Sequence, residues 1–177
     1  MDNGGRMQEF TNEPIDTRNL PRFEAVPFEP LHPKYWTVLL VSYGIFYLIL
    51  GLGLGAMIYF VDEVAAHALW PVLGYVVLLQ LNLLLMRIGF KKKGFAFRTH
   101  DVLFRSGIIA TSTIVIPYNR IQHVALHEGM ISRMFGLAKV EIFTAGGKES
   151  DIEIPGIAKA HAEDIKQLLM GKIQKQL

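Results

Sequence analysis

Two long stretches of the chain contain no charged residue. They are residues 37–61, "TVLLVSYGIFYLILGLGLGAMIYFV", and residues 68–86, "ALWPVLGYVVLLQLNLLLM". As helices these runs of 25 and 19 residues rise about 37 and 28 Å, against a hydrocarbon core about 30 Å thick. The pattern predicts two membrane spans. Pro71 falls in the first turn of the second span, where its missing N–H costs little. Gln80 and Asn82 are expected to face the other helix. A chain of 177 residues offers too little protein to bury both runs as core helices. The link "DEVAAH" is six residues long, so the spans form a hairpin with both chain ends on one side.

The period changes after residue 93. "FAFRTH" and "DVLFRSG" alternate as strands do, joined at His100-Asp101. Ser106-Gly107 marks a turn, and "IIATSTIVIP" is predicted as the next strand, ended by Pro117. "RIQHVALHE", "KVEIFTA" and "SDIEIPG" give further strands. "GMISRMFG" reads as a short helical turn and "GGK" as a tight turn. From Ile157 to about Lys175 the spacing becomes helical, with Ile165, Leu168, Leu169 and Ile173 on one stripe. The expected fold is a membrane-anchored α+β protein. Residues 1–34 are expected to be a mostly disordered arm, 35–90 the hairpin, and 94–177 a soluble domain of six or seven antiparallel strands. That domain is a small barrel or sandwich with a helix over one end.

Charge sets the orientation. The short link carries no Lys or Arg, whereas Lys34 precedes the first span and Arg87, Lys91, Lys92, Lys93 and Arg98 follow the second. The positive-inside rule places both ends in the cytoplasm. The long acidic leader and the long apolar run do not suit a cleaved signal peptide. The basic cluster is also a candidate lipid surface, since each cation near an anionic leaflet contributes about 1 kcal/mol. The interleaved Phe90, Phe95 and Phe97 are expected to pack or anchor at the interface, not to bind nucleic acid. The chain has no cysteine, which excludes disulfides, thiolate metal sites and a Cys nucleophile.

Two glycine patterns need separating. "GLGLGA" at 51–56 fits a dinucleotide fingerprint formally, but it lies inside a span, where no strand precedes it. Gly51 and Gly55 form a GxxxG pair expected to hold the hairpin or a partner helix.

"IPYNRIQHVALHEG", residues 116–129, gathers Arg120, Gln122, His123, His127 and Glu128. On a strand His123 and His127 are about 13 Å apart, too far to share a metal. As a helix the stretch would still lack the Glu of H-E-x-x-H. Arg120 and Gln122 are expected either to satisfy backbone carbonyls at a barrel corner or to form a ligand or partner surface. Arg133 has the same two readings, with Glu128 or Glu141 as possible partners. His161 is expected on a helix surface. No catalytic constellation, cofactor site or metal site emerges.

The stretch 116–147 resembles the second group of bacterial PH-like domains, the YdbS-like, membrane-flanked type. The resemblance rests on Ile116, Pro117, Arg120, Ile121, Gln122, Arg133, Phe135, Gly136, Leu137, Ala138, Thr144, Ala145, Gly146 and Gly147. It extends over about residues 35–175, including the two spans. It implies a seven-stranded PH-like split β-barrel capped by a C-terminal helix, in a bacterial inner membrane. It implies no catalytic residue. Such proteins commonly accompany a longer membrane protein with several such domains. The expected function is a non-catalytic interaction or scaffold subunit of a membrane complex. The alternatives are peripheral sensing of anionic lipid headgroups and an accessory role in transport or export. The expected partners are membrane lipids and a membrane protein, either a multi-PH-domain relative or a second copy.

Overall fold

The computed structural model describes residues 26–145 and 151–174. Helices α1 (Lys34–Phe60) and α3 (Leu69–Lys92) form the hairpin, with the short α2 (Asp62–Ala66) between them. Extended Val61 ends α1, and Asp62 and Glu63 open α2 at its positive dipole end. Both long helices are apolar all round, which suits either a protein core or lipid. Burial decides: in the most apolar window of each helix only 11% and 0% of residues are buried. Most of their leucines, isoleucines and phenylalanines are exposed.

The spans touch through tyrosine and glycine. The Tyr75 hydroxyl donates to the Tyr47 carbonyl at 2.8 Å, and the two rings meet edge to face at 5.9 Å. Gly51 makes room for this, because a Cβ there would lie 3.0 Å from the Tyr75 oxygen. Gly55 has open space around it, so only one member of the GxxxG pair serves the hairpin. The expectation for Gln80 is not met, because Gln80 is exposed. The Asn82 amide donates at 3.1 Å to the Leu78 carbonyl, which the Tyr47 hydroxyl of α1 also reaches at 3.5 Å.

The soluble part contains two antiparallel sheets. The first runs β1-β2-β3-β4, from β1 (Glu29–Pro30), β2 (Gly94–Phe97), β3 (Asp101–Ser106) and β4 (Ser112–Pro117). The second runs β5-β6-β7, from β5 (Ile121–His127), β6 (Leu137–Thr144) and β7 (Ile152–Ala158). Helix α4 (Met130–Met134) joins β5 to β6, and α5 (Lys159–Gln174) follows β7. Among the described residues no ladder joins the sheets, so the split barrel is open rather than closed. The "GGK" turn lies outside the described residues.

The core fills the space between the sheets and α5. Val140, Ile142, Ile152 and Ile154 alternate inward from paired strands, and Ala162, Ile165 and Leu169 cover them at helical spacing. Burying a side chain such as Ile165 or Leu169 stabilises by about 1.5–3 kcal/mol. Leu168 is not part of this stripe and stays exposed. Tyr118 is buried, and its hydroxyl donates to the Arg98 carbonyl at 2.6 Å.

Two boundaries differ from expectation. The strand anticipated from residue 108 starts only at Ser112. Gly107 turns the chain at φ +135°, where a Cβ would meet the Ala110 carbonyl at 1.9 Å. The end of the anticipated arm also belongs to the fold. Glu29 and Pro30 pair with Phe95 and Gly94, Leu31 enters the core, and the His32 N–H donates to the Gly156 carbonyl at 2.9 Å. Residues 1–25 lie outside the described residues.

Candidate functional site

The expected basic surface is divided by its own neighbours. Arg87 stacks over Trp36 at 5.0 Å. Lys91 is exposed. Lys92 donates to the Ile108 carbonyl at 2.6 Å, tying the β3–β4 turn to α3. Lys93 is partly buried just past the end of α3. Burial lowers its pKa, and the nearby Glu153 charge opposes that shift. Arg98 is taken by Asp101, through Nε at 2.6 Å and a second bond from Nη2. Three of the five expected lipid-facing cations are therefore committed within the protein. Arg87 and Lys91 remain at the span end.

The 116–129 stretch resolves into a short turn and a strand edge. Arg120 ends a 3-10 turn at Tyr118–Arg120, and its carbonyl accepts from the Ala145 N–H at 3.3 Å. Gln122 sits at a bulge, where the register to β6 shifts between Ile121 and His123. Both side chains are exposed. Neither side chain has a hydrogen-bond partner among the described residues. Strand β5 is the outer strand of its sheet, so its far edge is unpaired within the sheet.

His123 stacks on its cross-strand partner Phe143, with ring centroids 4.1 Å apart. His127 lies four residues further along the same strand. No cluster of three metal-binding side chains occurs among the described residues. Arg133 is exposed near the end of α4. Neither expected partner holds it: Glu128 pairs with Lys159 at 2.8 Å, and Glu141 with Lys139 at 2.6 Å. The Lys159 bond holds the Glu128 carboxyl below its ordinary range, and the Arg133 charge adds to that only at a distance.

A groove of about 790 Å³ runs between the end of β2 and α5. Phe95, Phe97, Ile165 and Leu168 supply apolar walls. Its polar lining includes Arg98, already bonded to Asp101, and His161, whose Nδ1 lies 3.7 Å from Glu29.

Sequence reasoning missed two features of this surface. One is the joint between hairpin and domain. Gly156 adopts φ +65°, and Tyr35, in the first turn of α1, lies directly against it. The other is a set of apolar side chains beside the hairpin: Ile109, Met130 and Met134. Their signal was present as "GII" at a turn and M-x-x-x-M between two glycines.

The profile of the bacterial PH domain family matches residues 38–173. The chain belongs to this family. Among curated proteins it is similar to two from Bacillus subtilis (strain 168). It is 34% identical to the UPF0699 transmembrane protein YdbT over 85 residues, 46% of this chain and 17% of that one. It is 30% identical to the UPF0699 transmembrane protein YdbS over 67 residues, 38% of this chain and 40% of that one. The chain thus spans well under half the length of these relatives. No solved structure matches. The two apolar helices and the transmembrane relatives together make this a membrane protein with a PH-like domain.

Proposed function

We propose that the chain is a non-catalytic interaction subunit of a bacterial inner-membrane complex, with its PH-like domain and both termini in the cytoplasm. The observation that carries this reading is the edge of β5 left unpaired within its sheet, with exposed Arg120 and Gln122 at its start, neither of which has a hydrogen-bond partner for its side chain among the described residues. An open edge accepts a strand from another chain through backbone hydrogen bonds, and exposed side chains beside it select the partner. A partner with an acidic or amide-rich extended segment suits Arg120 and Gln122. A longer membrane protein with the same kind of domain is the partner of choice, since YdbT is several times longer than its matched stretch. The orientation follows from the link, which carries no Lys or Arg, and from Arg87, Lys91, Lys92 and Lys93 at the other end of the hairpin.

Headgroup sensing by the basic cluster is the weaker reading, because Lys92, Lys93 and Arg98 are engaged or partly buried. The test is a photo-crosslinking residue at Gln122 in native membranes, followed by purification and mass spectrometry. Capture of one membrane protein, lost on Arg120→Glu with unchanged thermal stability, supports the proposal. Crosslinks to lipid alone, or capture unaffected by Arg120→Glu, would sink it.

A further inference from the structure

Most large apolar side chains exposed on the structure belong to α1 and α3 and face lipid. On the soluble part, three stand out: Ile109 at 95% exposure, and Met130 and Met134 at 81% each. Single exposed apolar residues are ordinary, but these three share a location. Ile109 is at the tip of the β3–β4 turn, whose Ile108 side chain would be 3.3 Å from a Cβ on Gly89 of α3. Met130 and Met134 are one helical turn apart on α4, which packs alongside α1. One tip therefore lies beside each span.

Their height can be worked out along the helices. Gly89 is three residues beyond Met86, the last residue of the charge-free run, a rise of about 4.5 Å. The headgroup layer on each side of the hydrocarbon is about 5–8 Å deep. Ile109 is therefore level with the headgroups. On the other helix, Val38, one residue into its charge-free run, is buried, and α4 of the domain packs against that helix. Cations accompany both tips: exposed Lys91 near the end of α3, and exposed Arg133 on α4.

We propose that the domain is seated in the adjoining leaflet by these two apolar tips, Ile109 on one side of the hairpin and Met130 with Met134 on the other. The partner is the lipid surface itself, continuous with the lipid-facing sides of α1 and α3. The nearby cations contact phosphates, and the apolar side chains enter the acyl boundary. The proposal is independent of any protein partner at β5.

A chain with no cysteine suits the test. Ile109→Cys, Met130→Cys and Met134→Cys are each labelled with an environment-sensitive fluorophore in the full-length protein, reconstituted in phosphatidylcholine vesicles. Thr99→Cys is the control, at the opposite end of β3, about 20 Å away. The expected result is blue-shifted emission from the three tip labels, quenched severalfold more by shallow spin-labelled lipid than the control. Aqueous emission at either tip overturns the proposal. So does lipid contact that occurs only with added phosphatidylglycerol and disappears at high salt, because charge alone would then hold the domain down.

Discussion

Replacing Gly156 with alanine tests how firmly the domain is fixed to its anchor. Gly156 has φ +65°, a conformation that costs an L-residue about 1–2 kcal/mol. The new Cβ would also lie 2.3, 2.6 and 2.8 Å from Tyr35 Cγ, Cβ and Cδ1, and forced overpacking adds about 1–3 kcal/mol. Together Gly156→Ala should destabilise the domain by about 2–5 kcal/mol, a large share of a typical 5–15 kcal/mol total. In a domain of this size that lowers Tm by at least about 8 °C. Thermal unfolding of the detergent-solubilised full chain, followed by near-UV circular dichroism, measures it. Tyr35→Ala in the Gly156→Ala background removes the two ring atoms and leaves the Cβ clash, so it should restore part of the loss. A shift of under about 2 °C for Gly156→Ala would refute the strain argument. Strict additivity of the two substitutions would refute the contact.

Within the hairpin, Tyr75→Phe should weaken span association by about 0.6–1.7 kcal/mol, measured by unfolding in mixed micelles. Gly51→Val should do more damage than Gly55→Val, because only Gly51 lies against Tyr75. The Thr144 N–H and hydroxyl donate to Asp151 at 2.8 and 2.6 Å and hold its carboxyl below the ordinary range. A depressed folded pKa contributes stability above the unfolded value and loses it as pH falls through the folded one. Hydrogen exchange at Thr144, corrected for the intrinsic rate, should therefore quicken in acid, and Asp151→Asn should abolish that dependence. Lys93 has the opposite linkage, because burial lowers its folded pKa. Its penalty is full below that pKa and vanishes above the ordinary lysine range. Lys93→Met should raise Tm at neutral pH, and the difference should close in strong alkali.

What could be read from the sequence depended on how local its cause was. The spans were legible because lipid demands an unbroken apolar run, and α5 because Ile165 and Leu169 repeat at helical spacing. The strands were legible from alternation, and the family from the 116–147 motif. Strand β1 was not, since Glu29 and Pro30 carry no pattern and are held by Phe95 and Gly94, over sixty residues away. The fate of the basic cluster was half legible. Arg98 and Asp101 are three residues apart, a spacing that invites pairing. The inward turn of Lys93 depends on where α3 ends against the domain, and no local signal encodes that.

The joint also bears on which function the domain can perform. One residue, Lys93, separates the end of α3 from the start of β2. On the other strand of the connection, Leu31 is buried and His32 is bonded to Gly156 before α1 begins. Lys92 adds a third tie to the β3–β4 turn. A peripheral sensor works by moving between water and membrane, and needs a tether long enough to let it leave. This domain has no such tether. Its β5 edge is therefore carried at a fixed height and angle, which suits a docking surface for a partner in the same membrane. Lengthening the connection at Lys93 with a flexible Gly-Ser insert should weaken partner capture at Gln122 while leaving the domain folded. Undiminished capture would show that the fixed mount does not matter to recognition.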